Sequence, residues 1–97
     1  MKILAIEKEI EEMTPENTEK LLEQEAQHVF QLYLSDKIRE IYFTENKNAV
    51  LVLEAEDKNT AKVILDTLPL VKAGKIKFEI IELRPYTGYQ RILKTGE

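Results

Sequence analysis

The sequence predicts an α+β domain in which four strands and two helices follow one another in the order βαββαβ. Stretches rich in Ile, Val and Leu have the short pattern of strands, and two longer stretches have the 3.6-residue periodicity of helices. Pro and Gly residues fall where one pattern gives way to the next. The chain has 97 residues, the size of one domain. We therefore expect residues 1–97 to form a single domain, with a tail over residues 84–97.

The first strand is predicted over residues 2–10, where Ile and Leu alternate loosely with charged side chains. Thr14 and Pro15 then open a helix, because Thr caps helix N-termini well and Pro suits the first helical position. We expect this helix to end at about Leu34. Helical spacing selects five residues as its core-facing stripe: Leu22, Ala26, Val29, Phe30 and Tyr33.

The next two strands are predicted over residues 38–45 and 49–56, where apolar and β-branched residues are frequent. Only a polar turn, residues 46–48, separates them. Because a connection this short joins neighbouring antiparallel strands, the two strands should form a β-hairpin.

A second helix and a last strand complete the predicted order. The helix is expected over residues 58–68, with Asp57 as its N-cap and Pro69 as its stop. Its core-facing stripe consists of Ala61, Ile64, Leu65 and Leu68. The last strand is predicted over residues 75–83, and the Pro and Gly residues that follow favour a tail outside the sheet interior.

This order is typical of the ferredoxin-like plan, a four-stranded antiparallel sheet with two helices on one face. The other face should be polar if it meets water. Strand alternation instead places Val50 and Val52 there together with charged residues, including Glu54 and Lys77 or Glu79. The first strand is apolar on both faces, with Ile3 and Ala5 on one and Leu4 and Ile6 on the other. We predict that two copies pack these faces together as a homodimer, with charged residues lining an interior pocket. A solvated, half-polar face is the alternative.

The composition excludes several classes of function. The chain has no Cys and one His, which rules out a disulfide framework, a thiolate metal site and a multi-histidine metal site. The acidic run from Glu7 to Glu19 is interpreted as a solvated edge, and no metal is expected there. RNA-recognition modules share the βαββαβ order, but they need aromatic residues on central strands and a basic surface. The net charge of −4 and the aliphatic third strand argue against a nucleic-acid partner.

A membrane partner is not expected either. No stretch approaches the roughly 20 apolar residues of a membrane span. The apolar run after Met1 is too short for a signal peptide. We therefore expect a cytoplasmic protein.

Three segments carry a resemblance to a known family. They are residues 35–42 (SDKIREIY), 50–57 (VLVLEAED) and 65–70 (LDTLPL). From about residue 21 to residue 83 the chain resembles the muconolactone isomerase-like group of the dimeric α+β barrel superfamily. The chain departs from that pattern at Tyr42 and Phe43, where the family has Trp and Arg.

The resemblance implies a dimeric α+β barrel and a cofactor-free activity. The family's isomerases move a proton within an unsaturated lactone by general acid–base chemistry. We therefore expect a cofactor-independent isomerase or lyase that acts on a small carboxylate or lactone, with no organic cofactor and no metal. The alternative is a non-catalytic small-molecule-binding or assembly module of the same fold.

Four residues are candidates for a site. Glu54 is a candidate general base if burial raises its pKa. His28 is a second catalytic candidate, since it titrates near neutral pH, although its position off the main helical stripe also suits a surface or interface residue. Arg39 is a candidate for holding a substrate carboxylate, and Tyr42 for lining or protonating the substrate. A solvated or salt-bridged strand residue is the competing interpretation for Glu54, and core packing is the competing interpretation for Tyr42. Because Arg39 and Tyr42 are three residues apart in a strand, at most one of them should belong to the pocket. The tail is interpreted as packing on a partner subunit, covering a pocket mouth or fraying.

Overall fold

A computed structural model describes residues 1–93 of the chain, apart from the side chains of Pro15 and Asn17. The elements are β1 (Lys2–Glu9), α1 (Pro15–Leu34), β2 (Ile38–Phe43), β3 (Ala49–Glu54), α2 (Lys58–Leu65), α3 (Pro69–Lys72), β4 (Ile76–Leu83) and α4 (Gln90–Leu93). The predicted βαββαβ order is therefore confirmed, with two short helices added. The last four residues of the predicted tail, 94–97, lie outside the described residues.

The four strands form one antiparallel sheet in the order β2-β3-β1-β4. The first strand of the chain, β1, lies between β3 and β4, and Ala5 of β1 is opposite Leu51 of β3 and Ile80 of β4. The β2–β3 hairpin is formed as predicted. Strands β2 and β4 are thus the two edges of the sheet.

The core lies between the sheet and the helices. Alternate residues of the two central strands, Ile3 with Ala5 and Leu51 with Leu53, are fully or almost fully buried on this side. The stripe predicted for the second helix faces them: Ala61, Leu65 and Leu68 are buried, and Ile64 packs against the same cluster. Burying each large side chain of this kind stabilises the fold by about 1.5–3 kcal/mol. With the helices on one face, the arrangement is an α+β fold of ferredoxin-like type.

The stripe predicted for α1 was wrong in all but one residue. Val29 packs against the core, but Leu22, Ala26, Phe30 and Tyr33 are exposed. The side of α1 turned to the sheet carries Thr18, Leu21, Glu25, Val29 and Leu32. Two of these residues are polar, which is why apolar spacing selected another side of the helix.

Backbone groups satisfy both polar side chains on the inner side of α1. The hydroxyl of Thr18 donates to the carbonyl oxygen of Thr14 over 2.6 Å, and the carboxylate of Glu25 accepts from the backbone N–H of Leu70 over 2.9 Å. Polar groups that are paired in this way can be buried at little cost. The true core-facing side is therefore less hydrophobic than an exposed side of the same helix.

Three predicted boundaries move by two or three residues, and those at the end of β1 and the start of β4 move by one. The second helix ends at Leu65, and Pro69 starts the short helix α3 because Pro fits a first helical turn as well as it ends a preceding one. Strand β2 ends at Phe43 and β3 at Glu54, two residues earlier than predicted. The hairpin loop begins at Thr44, whose N–H donates to the carbonyl oxygen of Asn48 over 2.8 Å.

The tail leaves the end of β4 and runs away from the domain. Within the described residues, helix α4 has at most marginal contact with the other helices and strands. The molecule measures 64 × 27 × 19 Å, and its radius of gyration is 16.6 Å. A domain of this length packed as one globule would have a radius of gyration of about 12.5 Å. The tail is therefore a projecting arm.

Candidate functional site

The face of the sheet turned away from the helices, called the open face below, combines apolar and charged side chains as predicted. Strand register assigns thirteen residues to it: Lys2, Leu4, Ile6, Lys8, Glu40, Tyr42, Val50, Val52, Glu54, Lys77, Glu79, Ile81 and Leu83. Its centre is aliphatic, with Leu4 paired to Val52 on one side and to Ile81 on the other. Charged residues surround this centre. No helix of the described chain covers the open face.

One end of the open face holds a charged cluster around Glu54. Lys2 lies directly opposite Glu54 in the β1–β3 register, and the amino group of Met1 contacts the Glu54 carboxylate. This contact, reinforced by the charges of Arg39 and Lys2, lowers the pKa of Glu54 below its ordinary value. The side chain is 44% exposed. The single chain therefore does not fulfil the condition for a general base, which is that burial raises the pKa of Glu54. The carboxyl group is ionised at neutral pH.

Arg39 reaches this cluster because β2 is irregular. The register with β3 shifts between Ile38 and Glu40, which is a β-bulge at Arg39. Strict alternation would place Arg39 and Tyr42 on opposite faces, since they are three residues apart. The bulge breaks that alternation, and the positive charge of Arg39 contributes to the lowered pKa of Glu54. Arg39, Lys2 and Glu54 thus stand together at one end of the sheet.

Tyr42 lies farther along the same face. Its register partner is Val50, two rows from the row of Lys2 and Glu54. The Tyr42 hydroxyl donates to the carboxylate of Glu40 over 2.8 Å, and this hydrogen bond, together with the charge of Glu40, raises the pKa of the phenol. The Tyr42 hydroxyl therefore holds its proton at neutral pH.

A groove opens beside the charged cluster. Its walls are formed by Met1, Lys2, Glu82, Leu83, Arg84 and Pro85, and its volume is about 700 Å³. Small-molecule sites in proteins commonly have volumes of about 300–1,000 Å³. Lys2 belongs both to the wall of this groove and to the cluster around Glu54, so the two features form one continuous region.

His28 is on the other side of the sheet from Glu54. It lies on α1, where its Nε2 is 2.8 Å from the hydroxyl oxygen of Thr67. The Thr67 hydroxyl already donates to the carbonyl oxygen of Ile64 over 2.6 Å, so Nε2 of His28 is the donor in this pair. The structure therefore brings Glu54, Arg39 and Lys2 together but keeps His28 apart from them.

One buried carboxyl group, that of Glu7, and one half-buried carboxyl group, that of Glu25, were not predicted from the sequence. Glu7 was expected to be part of a solvated edge, but it is 8% exposed and faces the helices, where it accepts from the N–H of Ala49 over 3.2 Å. Burial raises its pKa, and burial also raises the pKa of Glu25, with a further contribution from the charge of Glu7. The sequence did contain a signal for the burial of Glu7. Residues 3, 5 and 7 share one face of strand β1, so Glu7 lies on the same side as the buried Ile3 and Ala5.

Residues 1–93 contain neither a cluster of metal-ligating side chains nor a membrane-spanning helix. No group of three or more Asp, Glu, His or Cys side chains is arranged to hold a metal ion in this range. No helix in it is both long enough and apolar enough to cross a membrane.

The fold and the open face define a ferredoxin-like α+β domain with an uncovered, partly charged sheet surface. No protein-family model matches the chain, and no curated protein matches it. Among solved structures it is similar to 5-chloro-2-hydroxyhydroquinone dehydrochlorinase (TftG) from Burkholderia phenoliruptrix AC1100, in complex with 2,5-dihydroxybenzoquinone. The TM-score is 0.60 at 19% identity, over 91% of this chain and 98% of the other. This similarity establishes a shared fold.

Proposed function

We propose that two copies of the chain pack their open faces together and bind a small cyclic anion between them, as a cofactor-free isomerase or lyase. The observation that carries the proposal is the charged cluster of Lys2, Arg39 and Glu54 at the end of an aliphatic sheet surface. An aliphatic wall holds a ring, and cations at its end hold the negative oxygens of that ring. A small cyclic carboxylate, a lactone that carries a carboxylate group or an acidic hydroxyquinone has this shape and charge.

Arg39 and Lys2 are proposed as the anion-binding groups. A guanidinium can hold two oxygens of a carboxylate in a bidentate pair, and a lysine ammonium adds a point charge. The structural neighbour was solved with 2,5-dihydroxybenzoquinone, a small planar ring with acidic hydroxyl groups. This compound is therefore a suitable first probe for the chain.

Glu54 is proposed as the proton carrier. In an isomerisation its carboxylate would take a proton from a ring carbon next to a carbonyl and return it to another carbon of the same ring. An isolated chain disfavours this step, because the lowered pKa of Glu54 makes it a weak base. Packing of a second open face would remove water from Glu54, and desolvation raises the pKa of a carboxyl group. Catalysis would thus depend on the dimer.

A binding module without catalysis is the second candidate. The pairing of Glu54 with the Met1 amino group favours it, since a carboxylate tied up in an ion pair is a poor base. In that case Arg39 and Lys2 would bind the same anions, but Glu54 would serve only to position them.

Titration calorimetry with 2,5-dihydroxybenzoquinone tests the binding step. Wild type should bind, and Arg39→Ala should weaken the affinity by about tenfold because a charged hydrogen bond is lost. Lys62→Ala is the matched control, since this exposed lysine lies on α2 on the helical side of the sheet. Equal affinities for Arg39→Ala and wild type, or no binding by wild type, would refute the proposed site.

Hydrogen–deuterium exchange separates the two candidates. The ring hydrogens of 2,5-dihydroxybenzoquinone are followed by NMR in deuterated buffer, with wild type and with Glu54→Gln. Exchange that wild type accelerates and Glu54→Gln does not would support proton transfer by Glu54. Binding with no acceleration of exchange would favour the binding module.

A further inference from the structure

The projecting tail is rich in exposed apolar side chains. Tyr86 and Ile92 are 72% and 75% exposed, and Tyr89 and Leu93 are exposed as well. The rings of Tyr86 and Tyr89 meet edge to face with centroids 5.0 Å apart, so they form one aromatic unit. An arm of this composition is unfavourable in water and is typical of a segment that binds a protein surface.

A second exposed apolar surface lies on the body of the domain. Four of its residues are on α1 and two are on β2: Leu22, Ala26, Phe30, Tyr33, Ile41 and Phe43. We call this surface the α1–β2 patch. Phe43 is its most exposed member, at 74%. It is separate from the open face, because Ile41 and Phe43 pair with Leu51 and Ala49 and so lie on the helical side of the sheet.

The α1 half of the patch faces the β2 edge. Each of its four residues follows a residue of the inner stripe by one position, which rotates it by about 100° around the helix axis. On the opposite flank, His28 contacts Thr67 at the end of α2. Leu22, Ala26 and Tyr33 therefore face away from α2 and α3, while Phe30, farther round the outer side of the helix, also borders a groove lined by His28 and Pro69. Because α1 packs over β2 and α2 packs over β4, that outward side lies above the β2 edge.

The two halves of the patch also lie at the same height. Between Ile38 and Phe43 the strand rises by about 16 Å, which about 11 helical residues also span. The end of α1 leads directly into β2, with Lys37 N–H bonded to the carbonyl oxygen of Leu32. Counting back from that junction places Phe43 level with Leu22 and Ile41 level with Ala26. By this estimate the α1 half and the β2 half of the patch lie at the same height beside the β2 edge.

The tail of the same copy is poorly placed to cover this patch. It starts at the end of β4, and β4 and β2 are opposite edges of the sheet, about 14 Å apart at three strand spacings. From there it runs outward and lengthens the molecule to 64 Å. A second copy is the available recipient.

The charges of the two surfaces are opposite. Residues 84–93 contain two basic residues and no acidic residue. Arg84 pairs with Glu82 of its own chain over 2.8 Å, so Arg91 is the positive charge considered for the contact. Along α1 the outer side beside the patch carries Glu16, Glu19 and Glu23 together with Lys20, so it is acidic on balance. Opposite charges at the rim of an apolar contact speed association and fix its register.

We propose that the tail of one copy binds the α1–β2 patch of another copy. Tyr86, Tyr89, Ile92 and Leu93 would cover the patch, and Arg91 would lie near the acidic residues of α1. The contact uses surfaces separate from the open face, so it stands whether or not the open faces pair. It also differs from the proposed ligand site in every residue.

Photo-crosslinking tests this contact in the full-length chain. Protein with p-benzoylphenylalanine in place of Ile92 is mixed with an equal amount of ¹⁵N-labelled protein, irradiated, and analysed by mass spectrometry. Crosslinks that join the two isotopic forms, between position 92 and residues 22–43, are expected. Crosslinks within one copy, to any other surface, or to nothing would overturn the proposal.

Surface variants test the chemistry of the same contact. The double substitution Phe30→Ser with Phe43→Ser should reduce the crosslink yield at least about fivefold, since both side chains are exposed anchors. Val63→Ser is the matched control, because Val63 is equally exposed but lies on α2, and it should leave the yield unchanged. Arg91→Glu should lower the yield, and adding Glu23→Arg should restore part of it. An equal loss with Val63→Ser, or no loss with the double variant, would contradict the assignment of the patch.

Discussion

Gly74 is the residue at which the backbone conformation constrains the side chain most clearly. Its φ angle is +74°, and it joins α3 to β4. A Cβ atom built at this position would meet no atom within 4 Å, so the only cost of a side chain is the backbone strain. Gly74→Ala should therefore lower the free energy of unfolding by about 1–2 kcal/mol.

Chemical denaturation measures that loss, and a second variant isolates its cause. Gly74→Asn should be less destabilising than Gly74→Ala, because Asn tolerates the left-handed region better than Ala does. If both variants lose the same stability, strain at this φ angle is the wrong explanation.

Glu7 makes the stability of the fold depend on pH. Burial raises its pKa in the folded state, so the folded chain holds this proton more tightly than the unfolded chain. Glu7 therefore contributes to the free energy of unfolding below its ordinary pKa of 4.5. This contribution is lost as the pH rises through the raised pKa of the folded state. Glu7→Gln, which carries no charge to bury, should raise the melting temperature at pH 7 and leave it nearly unchanged at pH 4.

Thermal melts across that pH range measure the effect. The exposed Glu45→Gln is the matched control and should follow wild type at every pH. If the melting temperature of Glu7→Gln at pH 7 is lower than that of wild type, the hydrogen bond with the N–H of Ala49 outweighs the cost of burying the charge.

At the scale of the element, α1 shows which properties of a helix apolar periodicity can predict and which it cannot. Its start and end were predicted correctly, because the Thr14-Pro15 pair and the following period are local signals. Its orientation was not, because the inner side carries Thr18, whose hydroxyl bonds the carbonyl oxygen of Thr14 one turn back, and Glu25, whose partner lies elsewhere in the fold. Glu25 depends on Leu70, which is 45 residues away, and no local pattern indicates that contact.

Two alanine variants check the orientation of α1. Leu32→Ala, at a buried position, should lower the free energy of unfolding by about 2–5 kcal/mol. Leu22→Ala, at an exposed position on the same helix, should change it by less than about 1 kcal/mol. Urea denaturation measures both losses. A larger loss for Leu22→Ala than for Leu32→Ala would support the core-facing stripe that the sequence predicted.

The sheet gives the corresponding test of the open face. Ile6 is in the middle of β1 and points to the open face. The test is made in the Phe30→Ser, Phe43→Ser background, which removes the proposed tail contact. If two open faces pack together, Ile6→Lys should then convert a dimer into a monomer, because a buried unpaired charge is strongly unfavourable. Light scattering at micromolar concentration measures the mass, with Val63→Lys on α2 as the control. A dimer that persists with Ile6→Lys would show that the open face is not the interface.

For the molecule as a whole, the sequence predicted the face of the candidate site better than its chemistry. Strand alternation correctly placed Glu54 beside the aliphatic surface of Val50 and Val52, since parity in a regular strand needs no knowledge of the fold. The direction of the pKa of Glu54 was out of reach, because its main cause is the Met1 amino group, 53 residues away in sequence. The bulge that moves Arg39 to the same cluster is likewise a property of the paired strands.

The strand order also sets the time at which this fold can form during synthesis. β1 is the first strand to leave the ribosome, yet it occupies the centre of the sheet and pairs with β3 and β4. A nascent chain that stops before Ile76 has a bare edge on β1, with unpaired backbone groups that can bind other strands. The domain therefore has to wait for its last strand. A chaperone that shields β1 until β4 emerges would be of more use here than in a fold built from neighbouring hairpins.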